Sequence, residues 1–312
     1  RRLRIMKLKK FIAVMATVGM VASLAVGCGG SSEDTSAEGG DAAAEGSSDW
    51  DSSMDITIVS REDGSGTRGA FIELFGIEEE VDGEKVDMTT EEAQITNSTS
   101  VMLTTVAGDD YAIGYVSLGS LDDSVKALKI DGADATAENI KSGDYKVSRP
   151  FNIATKTDMN NPTAEDFISF IMSQEGQDVV AEEGYIPLDG AEAYAGDAPA
   201  GKVVVGGSSS VSPVMEKLIE AYAEVNPDAE IELQTTDSTT GMESAISGAY
   251  DIGMASREVK EDELSAGLEA QVIATDGIAV VVNNNNPTDE LTSDQVKSIY
   301  TGEALTWDEV VE

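Results

Sequence analysis

The segment SREDGSGTRGAF (60–71) carries the pattern that decides the fold of this chain. It follows an alternating apolar run, DITIV (55–59), and leads into AFIELF (70–75), which has the spacing of an amphipathic helix. The pattern predicts a strand, a tight turn of small residues and the first turn of a helix. Two glycines, two hydroxyl residues and two arginines at one helix start indicate an anion site.

A second segment, VVVGGSSSVSPVMEKLIEAYAE (203–224), repeats the order of strand, Gly/Ser turn and helix. We expect Ser212 to be the N-cap of this helix and Pro213 to occupy its first position. Free N–H groups and the positive end of the helix dipole are exposed at such a start, and both attract anions.

A third segment, IELQTTDSTTGMESAISGAYDIGMASRE (231–258), has the same order again. Thr240 and Glu243 have the spacing of a capping box, and Gly248 is expected to end the helix. Taken alone, each of these segments could be an ordinary helix start, since small and hydroxyl residues commonly cap helices. The anion-site hypothesis therefore rests on the three segments together and on the arginines that flank the first.

Composition limits the classes of protein to which the chain can belong. Its 312 residues, 41% of them hydrophobic, allow one two-lobed domain or two ordinary ones. The formal net charge of −39 excludes nucleic acid as a partner, because such a surface repels a phosphate backbone. An anion site in this chain must therefore depend on local donors.

The sequence also disfavours catalysis. It has no histidine, which excludes Ser-His-Asp and Cys-His catalysis and histidine metal ligands. The P-loop pattern and the calcium-loop spacing are both absent from the sequence. We therefore expect a binding protein with no catalytic residues, no cofactor and no metal site. The alternative, a phosphoryl-transfer enzyme, would need a group of metal ligands or a catalytic base.

The N-terminus has the features of a lipoprotein signal. A basic run is followed by the uncharged FIAVMATVGMVASLAV (11–26) and then by Cys28, the only cysteine of the chain. This end resembles a bacterial lipobox, so we expect a signal peptide over 1–28, lipidation of Cys28 and a disordered Gly/Ser/Ala/acid tether over 29–54. The alternative is an incidental cysteine in an uncleaved anchor. The lipobox places the protein outside the cytoplasm, held on the bacterial cell membrane.

Four motifs together resemble the phosphate-binding proteins of ABC importers: REDGSGTR (61–68), GSSSVSP (207–213), DIGMASRE (251–258) and IYTGEALTW (299–307). The resemblance implies an α/β, two-lobed periplasmic-binding-protein (class II) fold with the ligand cleft between the lobes. It also implies a monomeric, extracytoplasmic receptor that captures inorganic phosphate and passes it to the permease subunits of an importer.

The order of the halves differs from that of the family. The half that contains SREDGSGTR precedes the half that contains GSSSV, and the linker 189–201 joins them. The order indicates a circular permutation; a truncated tandem array is the competing interpretation. Under the first interpretation, we expect one helix over 163–183 and lobe crossings within 146–153 and 280–288. The expected domains are 55–148 (lobe II, first part), 149–285 (lobe I) and 286–312 (lobe II, second part).

The resemblance also implies roles for single residues. The ligand would be held by main-chain and hydroxyl donors and one arginine: Arg61, Ser65, Gly66, Thr67, Ser209, Ser210, Val211, Ser238 and Ser256. Asp63 is expected to orient Arg61, and Arg68 and Arg257 to support the site. Some members have an Asp after the last serine that accepts the proton of hydrogen phosphate, where this chain has Arg257. Sulfate, molybdate or a sensing role on the same fold therefore stay open as alternatives.

Overall fold

The structure, a computed structural model, describes residues 50–311. The predicted signal peptide with Cys28, and the tether up to residue 49, lie outside the described residues. Among residues 50–311 there is no helix that is both long enough and apolar enough to span a bilayer.

Strands and helices alternate along most of the chain, as the sequence predicts for an α/β protein. In chain order they are β1 (Thr57–Arg61), α1 (Gly66–Leu74), β2 (Glu78–Val81), β3 (Glu84–Asp87), β4 (Gln94–Thr96), α2 (Thr99–Ala107), β5 (Ala112–Ser117), β6 (Val125–Ala127), β7 (Lys129–Ile130), α3 (Ala137–Ser142), β8 (Ser148–Lys156), α4 (Pro162–Ile171), α5 (Gln174–Glu182), β9 (Gly201–Ser208), α6 (Ser212–Val225), β10 (Ala229–Thr236), α7 (Ser238–Ser247), β11 (Ile252–Ala255), α8 (Glu261–Ser265), β12 (Leu268–Asn283), β13 (Glu290–Leu291) and α9 (Ser293–Tyr300).

One long strand connects the two halves of the main sheet. The strand order is β10-β9-β11-β8-β12-β5-β1-β4, with β6 also paired to β12. Strand β12 pairs with β8 as far as Gly277, and from Ile278 onward it pairs with β5. The sheet therefore passes from one half of the molecule to the other where β12 changes partner.

Each half of the sheet has its own hydrophobic core. One core contains Phe71, Tyr115 and Trp307, and the other contains Phe167 and Leu218, all of them buried. We call the first half lobe II (50–147 and 278–311) and the second lobe I (148–277). The predicted two-lobed α/β architecture is confirmed.

The expected position of the second crossing is wrong. Residues 278–282 pack in the cores of lobe II and pair with β5. The crossing therefore lies at 277–278 instead of within 280–288, and lobe I ends before the predicted boundary at 285. The apolar run of β12 continues through the crossing without a break, so the sequence pattern does not mark the change of partner. The other crossing lies between Val147, buried in lobe II, and Phe151, buried in lobe I.

The helix expected over 163–183 is divided into α4 and α5. The Ser173 hydroxyl donates to the Phe170 carbonyl oxygen at 2.6 Å and accepts from the Gly176 N–H at 3.3 Å, so it ends one helix and caps the next. A Cβ at Gly176 would lie 2.2 Å from the Phe170 carbonyl oxygen. Glycine at 176 therefore allows the second helix to start against the first.

The linker 189–200 has no regular secondary structure but is fastened to lobe I. The Gln174 N–H donates to the Glu192 carbonyl at 2.7 Å, and the Tyr194 hydroxyl donates to Asp166 at 2.6 Å. The Tyr194 ring also packs edge-on against Phe170, with ring centroids 5.4 Å apart. These contacts keep the linker along α4 and α5.

The last described residues lie beside the first ones in lobe II. Asp55 and Thr306 form an antiparallel bridge, and the Ile56 N–H donates to the Leu305 carbonyl at 2.8 Å. The Asp308 N–H donates to the Ser52 carbonyl at 2.7 Å. The segment 305–308 is therefore held by backbone hydrogen bonds next to the start of β1.

Two glycines let helix α7 lie close to the strands of lobe I. Gly207 has φ +139°, and a Cβ there would lie 2.3 Å from the Met254 carbonyl oxygen. A Cβ at Gly241 would lie 2.7 Å from the Gly207 Cα. A side chain at Gly207 would push β11 away from β9, and one at Gly241 would push α7, with the polar residues at its start, away from both strands.

Candidate functional site

Four helices begin at the boundary between the lobes. Helices α1 and α2 start in lobe II, and α6 and α7 start in lobe I. In α1 the Ser65 hydroxyl accepts from the Arg68 N–H at 3.4 Å, and in α2 the Ser98 hydroxyl accepts from the Val101 N–H at 3.3 Å. The first-turn N–H groups and the positive dipole ends of these helices make the boundary favourable for an anion.

The two helix starts of lobe I differ in detail from the expectations. The N-cap of α6 is Val211, because the Ser212 hydroxyl donates to the Ser208 carbonyl at 3.2 Å instead of capping the helix. Helix α7 is capped by Asp237, whose carboxylate accepts from the Thr240 N–H at 2.9 Å, so the predicted capping box of Thr240 and Glu243 is wrong. The helix starts at Ser238, about one turn earlier than predicted, so Thr240 and Glu243 both lie inside it.

Hydroxyl groups from the two lobes contact each other at this boundary. The Thr67 and Ser210 hydroxyl oxygens are 2.8 Å apart. The Thr99 hydroxyl lies 3.3 Å from that of Ser209 and 3.4 Å from that of Ser210. The Arg61 Nη2 donates to the Ser209 hydroxyl at 3.1 Å. The starts of α1, α2 and the loop before α6 are therefore in direct contact.

A second group of hydroxyls continues the contact toward α7. The Ser208 hydroxyl donates to that of Ser256 at 2.9 Å, and the Ser256 N–H donates to the Ser238 hydroxyl at 3.1 Å. Gly66 faces them: a Cβ there would lie 2.4 Å from the Ser238 hydroxyl. We use the name hydroxyl cluster for Thr67, Thr99, Ser208, Ser209, Ser210, Ser238 and Ser256.

The hydroxyl cluster is enclosed by protein. Every member is at most 8% exposed, and Arg61 is 2% exposed. One cavity of about 360 Å³, lined by Thr99 and Ser209, lies on one side of the cluster. A second cavity of about 400 Å³ is lined by Ser65 and Arg68 at the start of α1. A small ligand bound among these hydroxyls would therefore be largely removed from water.

Arg61 is held by contacts at its backbone and at its guanidinium. Its backbone N–H donates to the Tyr115 hydroxyl at 3.2 Å, and burial raises the pKa of Tyr115 to about 12, so the phenol stays neutral. Its Nε and Nη2 both donate to the Glu62 carboxylate at 2.8 Å. This two-point contact fixes the plane of the guanidinium.

The expected role of Asp63 is wrong, since Glu62 makes the contact with Arg61. The Asp63 side chain is 98% exposed and pairs with Arg68 at 2.8 Å. Arg68 also donates to Asp87 at 2.7 Å and to the Arg61 carbonyl at 2.8 Å. Arg68 therefore supports the turn from outside the hydroxyl cluster.

Two further predicted residues are engaged within lobe I. Arg257 donates through both terminal nitrogens to Glu263, at 2.7 and 2.9 Å, and contacts Thr239 at 3.4 Å. Val211 is fully buried in the core, and its backbone N–H donates to the Ser208 carbonyl at 3.0 Å.

Ser65 of lobe II, at 5% exposure, lies at the start of α1 as expected and uses its hydroxyl as the N-cap.

Three residues of this region were not predicted from the sequence: Glu62, Thr99 and Ser208. Thr99 had a usable signal, because QITNSTS (94–100) is a fourth segment in which a strand and a short polar turn lead into a helix. Ser208 stands beside a predicted residue in the GSSSV motif. Glu62 had no signal, since adjacent acids at 62 and 63 are equivalent in sequence and only the backbone direction separates them.

The site offers hydroxyl and N–H donors and one guanidinium. Within residues 50–311 there is no group of three or more side chains suited to hold a metal ion. Such a donor-rich, enclosed boundary between two lobes can bind a small oxyanion with contacts from both sides.

Comparisons with known proteins agree with this architecture. Residues 41–175 and 192–311 match the family described as PBP superfamily domain. A phosphate-binding protein PstS 2 of Streptococcus agalactiae is 60% identical over 256 residues, which cover 82% of this chain and 87% of the relative. A PstS 2 of Streptococcus pneumoniae is 40% identical over 306 residues, covering 98% of this chain and all of the relative.

A solved structure from Streptococcus pneumoniae, the phosphate-binding protein of a phosphate ABC transporter, is 42% identical with a TM-score of 0.66. The match covers 83% of this chain and the whole of that structure. The chain therefore belongs to the PBP superfamily and, within it, to the family of the phosphate-binding proteins PstS.

Proposed function

We propose that this chain captures inorganic phosphate outside the cytoplasm and delivers it to the permease of an ABC importer. The observation that carries the proposal is the enclosed hydroxyl cluster, which joins four helix starts and the fixed guanidinium of Arg61 at the lobe boundary. The printed names of the relatives support the same ligand and the same transport role.

The geometry explains how the ligand would be held. A phosphate has four oxygens in a tetrahedron, so it can accept from Ser209 and Ser210 of lobe I while it accepts from Arg61 and Thr67 of lobe II. Contacts with both lobes favour the closed arrangement. Hydroxyl oxygens also accept hydrogen bonds. A serine or threonine of the cluster can therefore accept a hydrogen bond from the P–OH group of hydrogen phosphate, and no carboxylate is needed. Sulfate and molybdate, which lack that proton, are the ligands to compare by calorimetry.

The proposed role is binding without chemical conversion. The histidine-free sequence offers no proton shuttle of that type, and the relatives are named as binding proteins. We propose that the protein acts as a monomer, since the two lobes of one chain are enough to enclose the hydroxyl cluster. A sensing role on the same fold is the second candidate, and transport by the intact importer separates the two.

The lipobox-like end supports a membrane anchor. We propose that the chain is processed before Cys28 and held at the cell membrane by acyl groups on that cysteine, with 29–49 as a tether. Residues 50–54, which were predicted to belong to the tether, instead contact lobe II, where Trp50 stacks on Tyr111. The length of the tether would let the receptor reach its permease while it stays attached.

The order of the halves supports a circular permutation within the family. The segment 305–308 is hydrogen-bonded beside 52–56, and the linker 189–200 runs along lobe I. The alignment with the pneumococcal PstS 2 covers 98% of this chain in one run, so that relative has the halves in the same order. We propose that this order arose by joining one pair of ends in lobe I and opening the chain in lobe II.

Replacement of Arg61 by Ala is expected to weaken phosphate binding by about tenfold to a hundredfold. The change removes a charge-assisted contact in an enclosed site, and such a contact contributes about 1.5–3 kcal/mol. Calorimetry measures the affinity, and Lys202→Ala, an exposed lysine paired with Glu230, is the matched control. An unchanged affinity in the folded Arg61→Ala variant would overturn the anion-site hypothesis.

Replacement of Glu62 by Gln is expected to lower phosphate affinity about three- to tenfold, because an amide cannot hold both Nε and Nη2 of Arg61. The sign of the effect is decisive. If Glu62 acted only through its negative charge, its removal would raise the affinity for an anion. Glu220→Gln, exposed and paired with Lys217, is the control for loss of charge.

Replacement of Cys28 by Ser is expected to move the protein from the membrane fraction to the soluble fraction, because one cysteine carries the lipid attachment. Fractionation of cells that express the two forms measures this, with phosphate binding of the released form as a check on folding. Sedimentation of the variant with membranes would contradict lipidation at Cys28.

A chain with the halves exchanged is expected to fold and to bind phosphate with an affinity within about twofold of the parent. It would run from 191 to 311, continue through a short Gly/Ser linker into residue 51, and end at 190. The new ends lie in an exposed turn, where chains tolerate opening. An insoluble product, or one without binding, would count against the permutation.

A further inference from the structure

The two strands that cross between the lobes carry a buried ion pair at the crossing. Arg149 of β8 and Asp276 of β12 are directly opposite in the strand register. The Arg149 Nη2 lies 3.1 Å and its Nε 3.3 Å from the same Asp276 oxygen. The side chains are 2% and 0% exposed. An ion pair that is this well buried is costly unless further hydrogen bonds satisfy it.

Lobe II supplies one of those hydrogen bonds. The Ser117 hydroxyl, at the end of β5, donates to the second Asp276 oxygen at 2.9 Å. Ser117 is also the strand partner of Ile278, the first residue of β12 after the change of partner. The carboxylate of Asp276 is therefore bound by groups from both sides of the crossing.

The other titratable and charged groups around the pair are tyrosines and one arginine. Tyr145, whose hydroxyl donates to the Ile278 carbonyl at 2.7 Å, and Tyr185 face Asp276, and burial raises the pKa of both phenols. Burial lowers the pKa of Arg149, the nearby charge of Asp276 partly offsets this, and the charge of Arg61 lowers the pKa further. Among residues 50–311, Asp276 is the carboxylate that pairs with Arg149 and compensates its charge.

The pair is incompletely satisfied in the closed arrangement. The Arg149 Nη1 and the Tyr185 hydroxyl are buried and have no hydrogen-bond partner among residues 50–311. Buried donors without partners oppose burial, and contact with water would relieve them. A separation of the lobes that begins at the crossing would give these groups water.

We propose that Arg149 and Asp276 form a proton-linked latch at the hinge, buried together when the lobes enclose the anion and hydrated when the lobes separate. The latch rests on the anion binding proposed above. Both residues are positioning residues, since they act on the ligand only through the closure of the lobes.

The latch makes anion affinity depend on pH in a definite direction. Burial, partly offset by Arg149 and Ser117, raises the pKa of Asp276 to about 6 in the closed arrangement, above its ordinary 3.8. Hydration in the open arrangement would return the pKa toward that ordinary value. The closed form therefore takes up a proton as the pH falls from 7 to 5. This uptake stabilises the closed form, so the affinity for the anion rises by about tenfold over this range.

Phosphate calorimetry from pH 7 to pH 5 on the parent and on Asp276→Asn tests the latch. The ionisation of phosphate itself is common to both proteins, so the ratio of their affinities isolates Asp276. We expect the ratio of parent to variant affinity to rise about tenfold as the pH falls. Asp289→Asn, an exposed acid paired with Lys126, should follow the parent. Parallel profiles for the parent and a folded Asp276→Asn would overturn the proposal.

A second variant protects the test against misfolding. The double change Arg149→Met and Asp276→Leu removes the pair without leaving a lone buried charge, and such replacements are often tolerated. It should fold, bind phosphate at pH 7 and show the same pH profile as Asp276→Asn. A profile that follows the parent would contradict the latch.

Small-angle scattering of the ligand-free proteins separates the latch from the proposed function. The parent should become more compact as the pH falls from 7 to 5, and the double variant should not. If the parent fails to bind phosphate but shows this change, the phosphate proposal fails and the latch stands. If it binds phosphate and shows no change of compactness at any pH, the latch fails alone.

Discussion

The continuity of strand β12 is the constraint on which the rest of the structure depends. Its backbone is paired with lobe I through Gly277 and with lobe II from Ile278, so neither lobe completes its sheet without it. The strand is buried over most of its length after the crossing. Any relative motion of the lobes must therefore be absorbed at the crossings, where Arg149 and Asp276 lie.

The candidate site depends on this arrangement because its donors come from separate segments of the chain in both lobes. A chain with a net charge of −39 repels anions at long range, so attraction has to come from local donors that are shielded from water. Helix starts supply such donors, and two lobes that meet face to face bring four helix starts together. Direct contacts such as Thr67 with Ser210 then join the lobes at the site itself.

Local chemistry explains which expectations survived. The strand-to-helix turns around Arg61, Ser209 and Ser238 were predictable, because Gly, Ser and Thr after an apolar run have few other uses. Caps were less predictable. Asp237 caps α7, where several neighbouring polar residues could accept the same N–H groups, and α6 starts after Val211 without a side-chain cap. The break between α4 and α5 was also unpredictable, because serine is acceptable within a helix. Here the Ser173 hydroxyl instead ends α4 and caps α5.

The sequence by itself determined the α/β class, the two-lobed family architecture and most of the residues that meet at the lobe boundary, because these follow from periodicity, turn chemistry and short motifs along the chain. Only the tertiary structure decided that Glu62 instead of Asp63 holds Arg61, that Thr99 joins the hydroxyl cluster, and that β12 changes partner at 277–278. Each of these depends on contacts between groups 30 or more residues apart in the chain, or on the direction of one side chain. Local sequence preferences determine neither.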